Sequence, residues 1–217
     1  MTDKNKPALT ARTTTHTRPY LWAIIIFVVF TVFDQASKQW AHQALLNAEF
    51  HEKTDQFPTC GSPEEEQARG RFTYVNSTPI TVVDNFFTFR YVENCSNAFS
   101  MMKNVPESFR FPFLLIISIL ACFGIPYMFL KTPLAHRYTL YALPFILSGA
   151  MGNLLDRMIY RYVIDFIDWY VVIDGKEHHW PTFNIADVAI VVGIGLMGIQ
   201  ILMTPRQKTA ANKKSSK

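Results

Sequence analysis

Residues 111–130 read FPFLLIISILACFGIPYMFL, twenty positions without a charged side chain. As a helix this stretch is about 30 Å long, the thickness of the hydrocarbon core of a bilayer. Buried helices of soluble domains rarely stay apolar on every face for that length. The stretch therefore reads as a membrane span and sets the class of the chain. Working outward, residues 20–33 are apolar and run into Asp34-Gln35-Ala36-Ser37-Lys38-Gln39-Trp40, so a span here ends in polar residues. Residues 138–155 and 185–203 complete a set of four, the last carrying Asp187 near its start. The first run also has the length of a signal-peptide core. It ends in Asp34-Gln35 without a small-x-small cleavage site after it, and reads as an uncleaved span.

Charge gives the orientation. With four spans and a cytoplasmic N-terminus, the inside segments are 1–19, 131–137 and 204–217. They hold eleven of the 21 Lys and Arg but one acid, Asp3. The positive-inside rule then puts both termini in the cytoplasm. The net charge of +4 is accounted for as an orientation signal and calls for no nucleic acid. The basic tail, with no groove-reading motif or interleaved aromatics, reads as a flank near acidic lipid. The expected fold class is mainly α: a polytopic membrane protein of four transmembrane helices, with a small extracytoplasmic β-sheet between helices 1 and 2. Residues 20–203 form one domain between two basic tails.

Two polar segments face outside in this topology, 41–110 and 159–183. The first divides. Residues 51–71, with Glu64-Glu65-Glu66, Pro58, Gly61 and Pro63, read as a flexible insertion or a short solvated helix. Residues 72–100 carry β-branched and aromatic runs, Ile80-Thr81-Val82-Val83 and Phe86-Phe87-Thr88-Phe89-Arg90-Tyr91-Val92, with Asp84-Asn85 as a turn signal. A small sheet at the outer membrane surface is expected there. Trp40, Trp169, Tyr170 and Trp180 suit interfacial anchors.

Ionisable and amide residues at the span ends carry the chemistry, because such groups are costly in lipid. Asp34 and Lys38 are four apart on one helix face and can pair. Asn153, Asp156 and Arg157 form an i, i+3, i+4 stripe that must face protein, since lipid cannot satisfy it. Asp165 sits in an apolar neighbourhood just past the third span. Pro181 and Asn184 mark a helix start, so Asp187 either complements the dipole of the fourth helix or meets Asp165 at the outer surface. In the second case like charges a few Å apart resist joint ionisation, and one carboxyl stays an acid while the other serves as base. Such a pair can activate a water against an amide carbonyl and protonate the leaving nitrogen.

Other chemistries draw less support. Cys122 lies within the second span and reads as packing. Cys60 and Cys95 both face the oxidising side, where a disulfide is open to them. Nothing in the spacing favours a thiol nucleophile made of Cys95 with His178 or His179, and adjacent histidines without a third ligand are a weak metal signal. No metal or other cofactor is called for. A proton-coupled carrier would use intramembrane acids too, but a relay needs polar groups through the bilayer depth, whereas these cluster at the outward ends. There is also no broken-helix pair or inverted repeat.

Five motifs, in order, resemble those of the lipoprotein signal peptidase (signal peptidase II) family. They are Asp34-Gln35-Ala36-Ser37-Lys38, Asn94 with Ala98-Phe99-Ser100, Gly149-Ala150-Met151-Gly152-Asn153-Leu154-Leu155-Asp156-Arg157, Val163-Ile164-Asp165-Phe166 and Phe183-Asn184-Ile185-Ala186-Asp187. The resemblance implies a bacterial inner-membrane aspartic endopeptidase that cuts prolipoproteins before a diacylglyceryl-modified cysteine. It implies Asp165 and Asp187 as the catalytic pair, with Asn94, Asn153, Arg157 and Asn184 binding substrate or shaping the site. Asp34, Lys38 and Asp156 would give structural support, Asp156 being the main competitor for a catalytic role. The implied partners are the prolipoprotein and membrane lipids, and the expected state is a monomer. Two features depart from the family pattern. Cys95-Ser96-Asn97 stand where the family has Thr-Gly-Ala, and residues 51–71 look inserted.

Overall fold

The computed structural model of the 217-residue chain describes residues 20–46, 78–94 and 107–204. The two tails, the insertion 51–71, Cys60, and residues 95–100 with Cys95 and Asn97 lie outside the described residues. Among the described residues four helices carry the fold: α1 (Tyr20–Leu45), α2 (Glu107–Lys131), α3 (Arg137–Tyr160) and α4 (Ile185–Met203). All four are long and apolar enough to cross a membrane. Helix α1 does not stop at its polar residues. It continues through Asp34 and Lys38 to Leu45, and both of those side chains are buried.

That burial follows from the place of α3, the least apolar of the four spans and the one most enclosed by the others. It packs against α1, α2 and α4, so the stripe Asn153, Asp156 and Arg157 faces protein and all three are buried. Lipid gives no hydrophobic drive for one helix to seek another, and close approach depends on small residues. Gly149 supplies this against α4. A Cβ there would run into the Ala186 carbonyl oxygen and come within 2.6 Å of Ile190 Cγ1. Gly193 does the same from the other side, where a Cβ would lie 2.8 Å from the Ala142 oxygen.

The expected sheet is present, and its strands come from two parts of the chain. Strands β1 (Ile80–Val83) and β2 (Phe87–Asn94) follow α1, whereas β3 (Val163–Ile173) and β4 (Lys176–His179) come from the segment between α3 and α4. All neighbours are antiparallel, in the order β1-β2-β3-β4. The signal Asp84-Asn85 does form the β1–β2 turn, with Asn85 at φ 60°, a left-handed conformation that asparagine tolerates. Asp174 (φ 52°) and Gly175 (φ 73°) make the two-residue β3–β4 turn, the positive-φ pair that tight hairpins require.

Strand β3 leaves α3 through Arg161, whose left-handed backbone (φ 67°) caps the helix by donating its N–H to the Arg157 carbonyl. The β2–β3 register sets Val92 opposite Asp165 and Asn94 opposite Val163. The last turns of α1 then close the core beneath the sheet. Ala41 and Leu45 pack with Tyr91, Tyr162, Ile164, Phe166 and Ile167. A second cluster, Ile125, Phe129, Leu140 and Leu143, joins α2 to α3 near the opposite end of the bundle.

Gly149→Ala is expected to force α3 from α4 and cost about 1–3 kcal/mol, the usual price of overpacking. Thermal unfolding of the detergent-purified protein should show a lower Tm. Gly198→Ala in α4, where an added Cβ meets nothing within 4 Å, should leave Tm unchanged or slightly raised.

Candidate active site

Helix α4 begins at Asn184, whose extended backbone (φ −131°, ψ −178°) and side chain form its cap. Asn184 Oδ1 accepts the Asp187 N–H at 3.0 Å, and Asp187 Oδ2 accepts the Asn184 N–H at 3.2 Å. This reciprocal capping box fixes the Asp187 carboxylate at the helix start. Its other oxygen, Oδ1, accepts from Asn153 Nδ2 at 3.0 Å. Asp187 remains partly exposed.

Asp165 reaches the same place from β3. Its side chain is 2% exposed and accepts from two amides, Asn184 Nδ2 at 2.6 Å and Asn94 Nδ2 at 2.7 Å. Asn184 therefore donates to both carboxylates, to Asp187 through its backbone N–H and to Asp165 through its side-chain nitrogen. The same nitrogen donates to the Ile164 carbonyl and to Asn153 Oδ1, each at 3.2 Å. Burial, and then the charge of Asp187, push the Asp165 carboxyl well above the usual carboxylate range; the Asn94 and Asn184 hydrogen bonds and the Lys38 charge oppose that shift.

Behind the pair lies a buried ionic unit. Lys38 Nζ is 2.8 Å from Asp34 Oδ2 and 2.9 Å from Asp156 Oδ2, and it donates to Asn153 Oδ1 at 3.1 Å. Asp34 Oδ1 accepts the N–H of Ala186 at 2.8 Å, and Asp156 Oδ2 accepts that of Ile164 at 3.1 Å. Gln35 spans the two acids, its Nε2 lying 3.1 Å from Asp34 Oδ2, 3.0 Å from Asp156 Oδ1 and 3.2 Å from the Gly152 carbonyl. Arg157, also buried, donates to the Asn153 carbonyl at 2.8 Å and to Ser118 Oγ on α2 at 3.2 Å, and its charge is felt at Asp187.

All nine site residues expected from the sequence thus fall in one connected region. Asp165 and Asp187 face each other across Asn184, while Asp156 has both oxygens occupied by Lys38, Ile164 and Gln35. Gln35 and Ser118 were not singled out from the sequence: Gln35 reads only as part of the run from Asp34 to Lys38, and a hydroxyl inside a span can bond its own helix backbone, as Ser118 does to the Leu114 carbonyl. His179, read as a possible ligand or base, instead sets Nδ1 3.0 Å from both Asp168 oxygens and Nε2 3.1 Å from Glu177, while Arg90 Nε lies 3.3 Å from Asp168. This cluster ties β2, β3 and β4 together. Among the described residues no three His, Cys, Asp or Glu side chains converge as metal ligands.

Four spans with two carboxylates held by asparagines at one end define a polytopic membrane protein. The sequence pattern of the family described as signal peptidase (SPase) II matches residues 26–203. A lipoprotein signal peptidase of Anaeromyxobacter sp. is 36% identical, the match covering 83% of this chain and 85% of that one. Another, from Geobacter sulfurreducens, is 39% identical over 59% of this chain and 77% of its own. A solved bacterial membrane enzyme shares the fold with a TM-score of 0.54 at 24% identity, covering 90% of this chain and 93% of that one. The chain belongs to the signal peptidase II family.

Between the unfolded carboxylate range, about pH 4, and its raised native value, Asp165 holds its proton more tightly in the folded protein than in the unfolded chain. Stability contributed by this group is present below that window and falls as pH rises through it. Asp165→Asn cannot ionise. The slope of Tm against pH, measured upward from about pH 4 in detergent, should therefore be shallower than in wild type. Equal slopes would show that Asp165 ionises as an exposed acid does.

Proposed function

We propose that this membrane peptidase removes the signal peptide of prolipoproteins by cutting before a diacylglyceryl-modified cysteine, with Asp165 and Asp187 as its catalytic pair. The observation that carries the reading is the double donation of Asn184, whose backbone N–H and side-chain nitrogen bring two carboxylates from separate chain segments to one partly open place. Asp165, whose burial favours the neutral form, holds the proton of the pair. Asp187 takes a proton from a water as its oxygen adds to the scissile carbonyl, and Asp165 protonates the leaving nitrogen as the C–N bond breaks. The two titrate as a unit. Asn94, Asn153 and Asn184 hold the carboxylates by donated hydrogen bonds, and with Arg157 they shape the substrate's place. Asp34, Lys38 and Asp156 stand behind them.

A lipidated substrate lies in the membrane with its scissile bond near the outer interface, so carboxylates are needed at that depth. The sheet and both aspartates lie at the end of the bundle away from Lys131 and Arg137, which flank the α2–α3 turn. Placing the basic end inside the cell puts both termini in the cytoplasm and the site near the extracytoplasmic face of the bacterial inner membrane.

Purified wild-type protein should cleave a diacylglyceryl-modified prolipoprotein, and folded Asp165→Asn and Asp187→Asn should each lose at least about 10²-fold in rate, as loss of a general acid or base does. Activity persisting in either variant would remove that residue from the pair. For orientation, a reporter fused after Gly70 should be exported and one after Pro133 should stay cytoplasmic. The reverse pattern would invert the topology.

A further inference from the structure

The two acids that do no chemistry hold equivalent places in the backbone. Asp34 grips the N–H of Ala186, the residue immediately before Asp187, and Asp156 grips the N–H of Ile164, the residue immediately before Asp165. Lys38 and Gln35 bind both acids to each other. Lys38 also decides which way the Asn153 amide points. An ammonium can only donate, so the Asn153 oxygen faces Lys38 and its nitrogen is left to donate to Asp187. We propose that Asp34, Lys38, Asp156 and Gln35 form a positioning clamp that sets the spacing and orientation of the Asp165–Asp187 pair and so governs kcat, beyond holding the helices together.

The inference rests on the assignment of Asp165 and Asp187 as the reacting pair. The clamp acts through two backbone amides and one side-chain amide. A misplacement of reacting groups by about 1 Å costs on the order of 10²-fold in rate. Substrate binding through other parts of the protein is untouched, so the loss belongs in kcat. The Lys38 charge also favours the ionised form of Asp165. Removing that charge makes Asp165 harder to ionise, and the alkaline limb of the pH–rate profile, where Asp165 loses the proton it donates, moves to higher pH.

The test is cleavage of a diacylglyceryl-modified prolipoprotein by full-length Lys38→Met, Lys38→Arg and Gln35→Leu, beside Asp165→Asn and Asp187→Asn, with the folded fraction measured by gel filtration and circular dichroism. Lys38→Met should lose about 10²-fold in kcat per folded molecule, with KM within about twofold and the alkaline limb shifted upward. Lys38→Arg keeps the charge and should keep the wild-type limb while recovering part of kcat. Gln35→Leu, which removes no charge, should lose about fivefold to tenfold, the scale of one net hydrogen bond, with the limb unmoved. Wild-type kcat per folded molecule in Lys38→Met or Gln35→Leu overturns the clamp, and so does a loss in Lys38→Met that leaves the alkaline limb in place. Should Lys38→Met fail to fold, wild-type kcat in both Lys38→Arg and Gln35→Leu overturns it equally. Activity retained by Asp165→Asn or Asp187→Asn would instead overturn the reading of the pair itself, whatever the Lys38 variants do.

Discussion

The ammonium of Lys38 lies 2.8 Å from one carboxylate and 2.9 Å from another, with all three side chains about 1% exposed. Charges so placed have given up hydration worth several kcal/mol each, on the order that their mutual attraction returns. A well-packed apolar replacement would often be as stable, so stability is a poor account of why the unit is there. Geometry is a better one. Lys38 and Asp34 come from α1 and Asp156 from α3, and the two carboxylates accept backbone N–H groups at the start of α4 and the start of β3. Four elements that lipid alone would leave free to slide are pinned at a single depth.

Different forces hold the two ends of the molecule. Within the spans, contact rests on backbone approach at Gly149 and Gly193, because exchanging lipid for a neighbouring helix gains little hydrophobic energy. At the sheet, water is the competing solvent, and burying Tyr91, Tyr162, Ile164 and Phe166 against the end of α1 returns about 1.5–3 kcal/mol for each large apolar side chain. The pair Asp165 and Asp187 sits where these regimes meet. One carboxylate belongs to the sheet and the other to a span, so both kinds of packing must be complete before the two acids face each other.

What was legible in the sequence follows the same division. Lipid selects composition directly, so the spans could be read from charge-free length, and the groups lipid cannot solvate marked themselves: Asp34 with Lys38, and the stripe Asn153, Asp156 and Arg157. The i, i+4 pairing of Asp34 and Lys38 was visible within one helix. Their third partner, Asp156, lies more than a hundred residues away, and nothing local announces it. Strand β3 stayed hidden for another reason. Val163 to Asp168 are buried on both faces, so the two-residue alternation that reveals a half-exposed strand is missing. The Asp174-Gly175 turn was the signal that could have exposed the hairpin. Asp84-Asn85 gave that signal for β1 and β2, where the flanking β-branched runs were plainer.

The sequence also left two readings of Asp187 open, an acid complementing a helix dipole or a member of a carboxylate pair, and the geometry at Asn184 is compatible with both at once. The capping box spends one Asp187 oxygen on the Asn184 N–H and so holds the carboxylate rigidly without help from the substrate. Asn184, by spending its oxygen on the return bond, leaves its nitrogen aimed away from the helix, toward Asp165. An amide is suited to this because it carries a donor and an acceptor on one planar group. Aspartate or serine could cap the helix equally well, but an aspartate in its place would set a third negative charge against Asp165, and a serine would lack the reach to bridge. The choice of asparagine at the start of α4 therefore follows from the second carboxylate across from it.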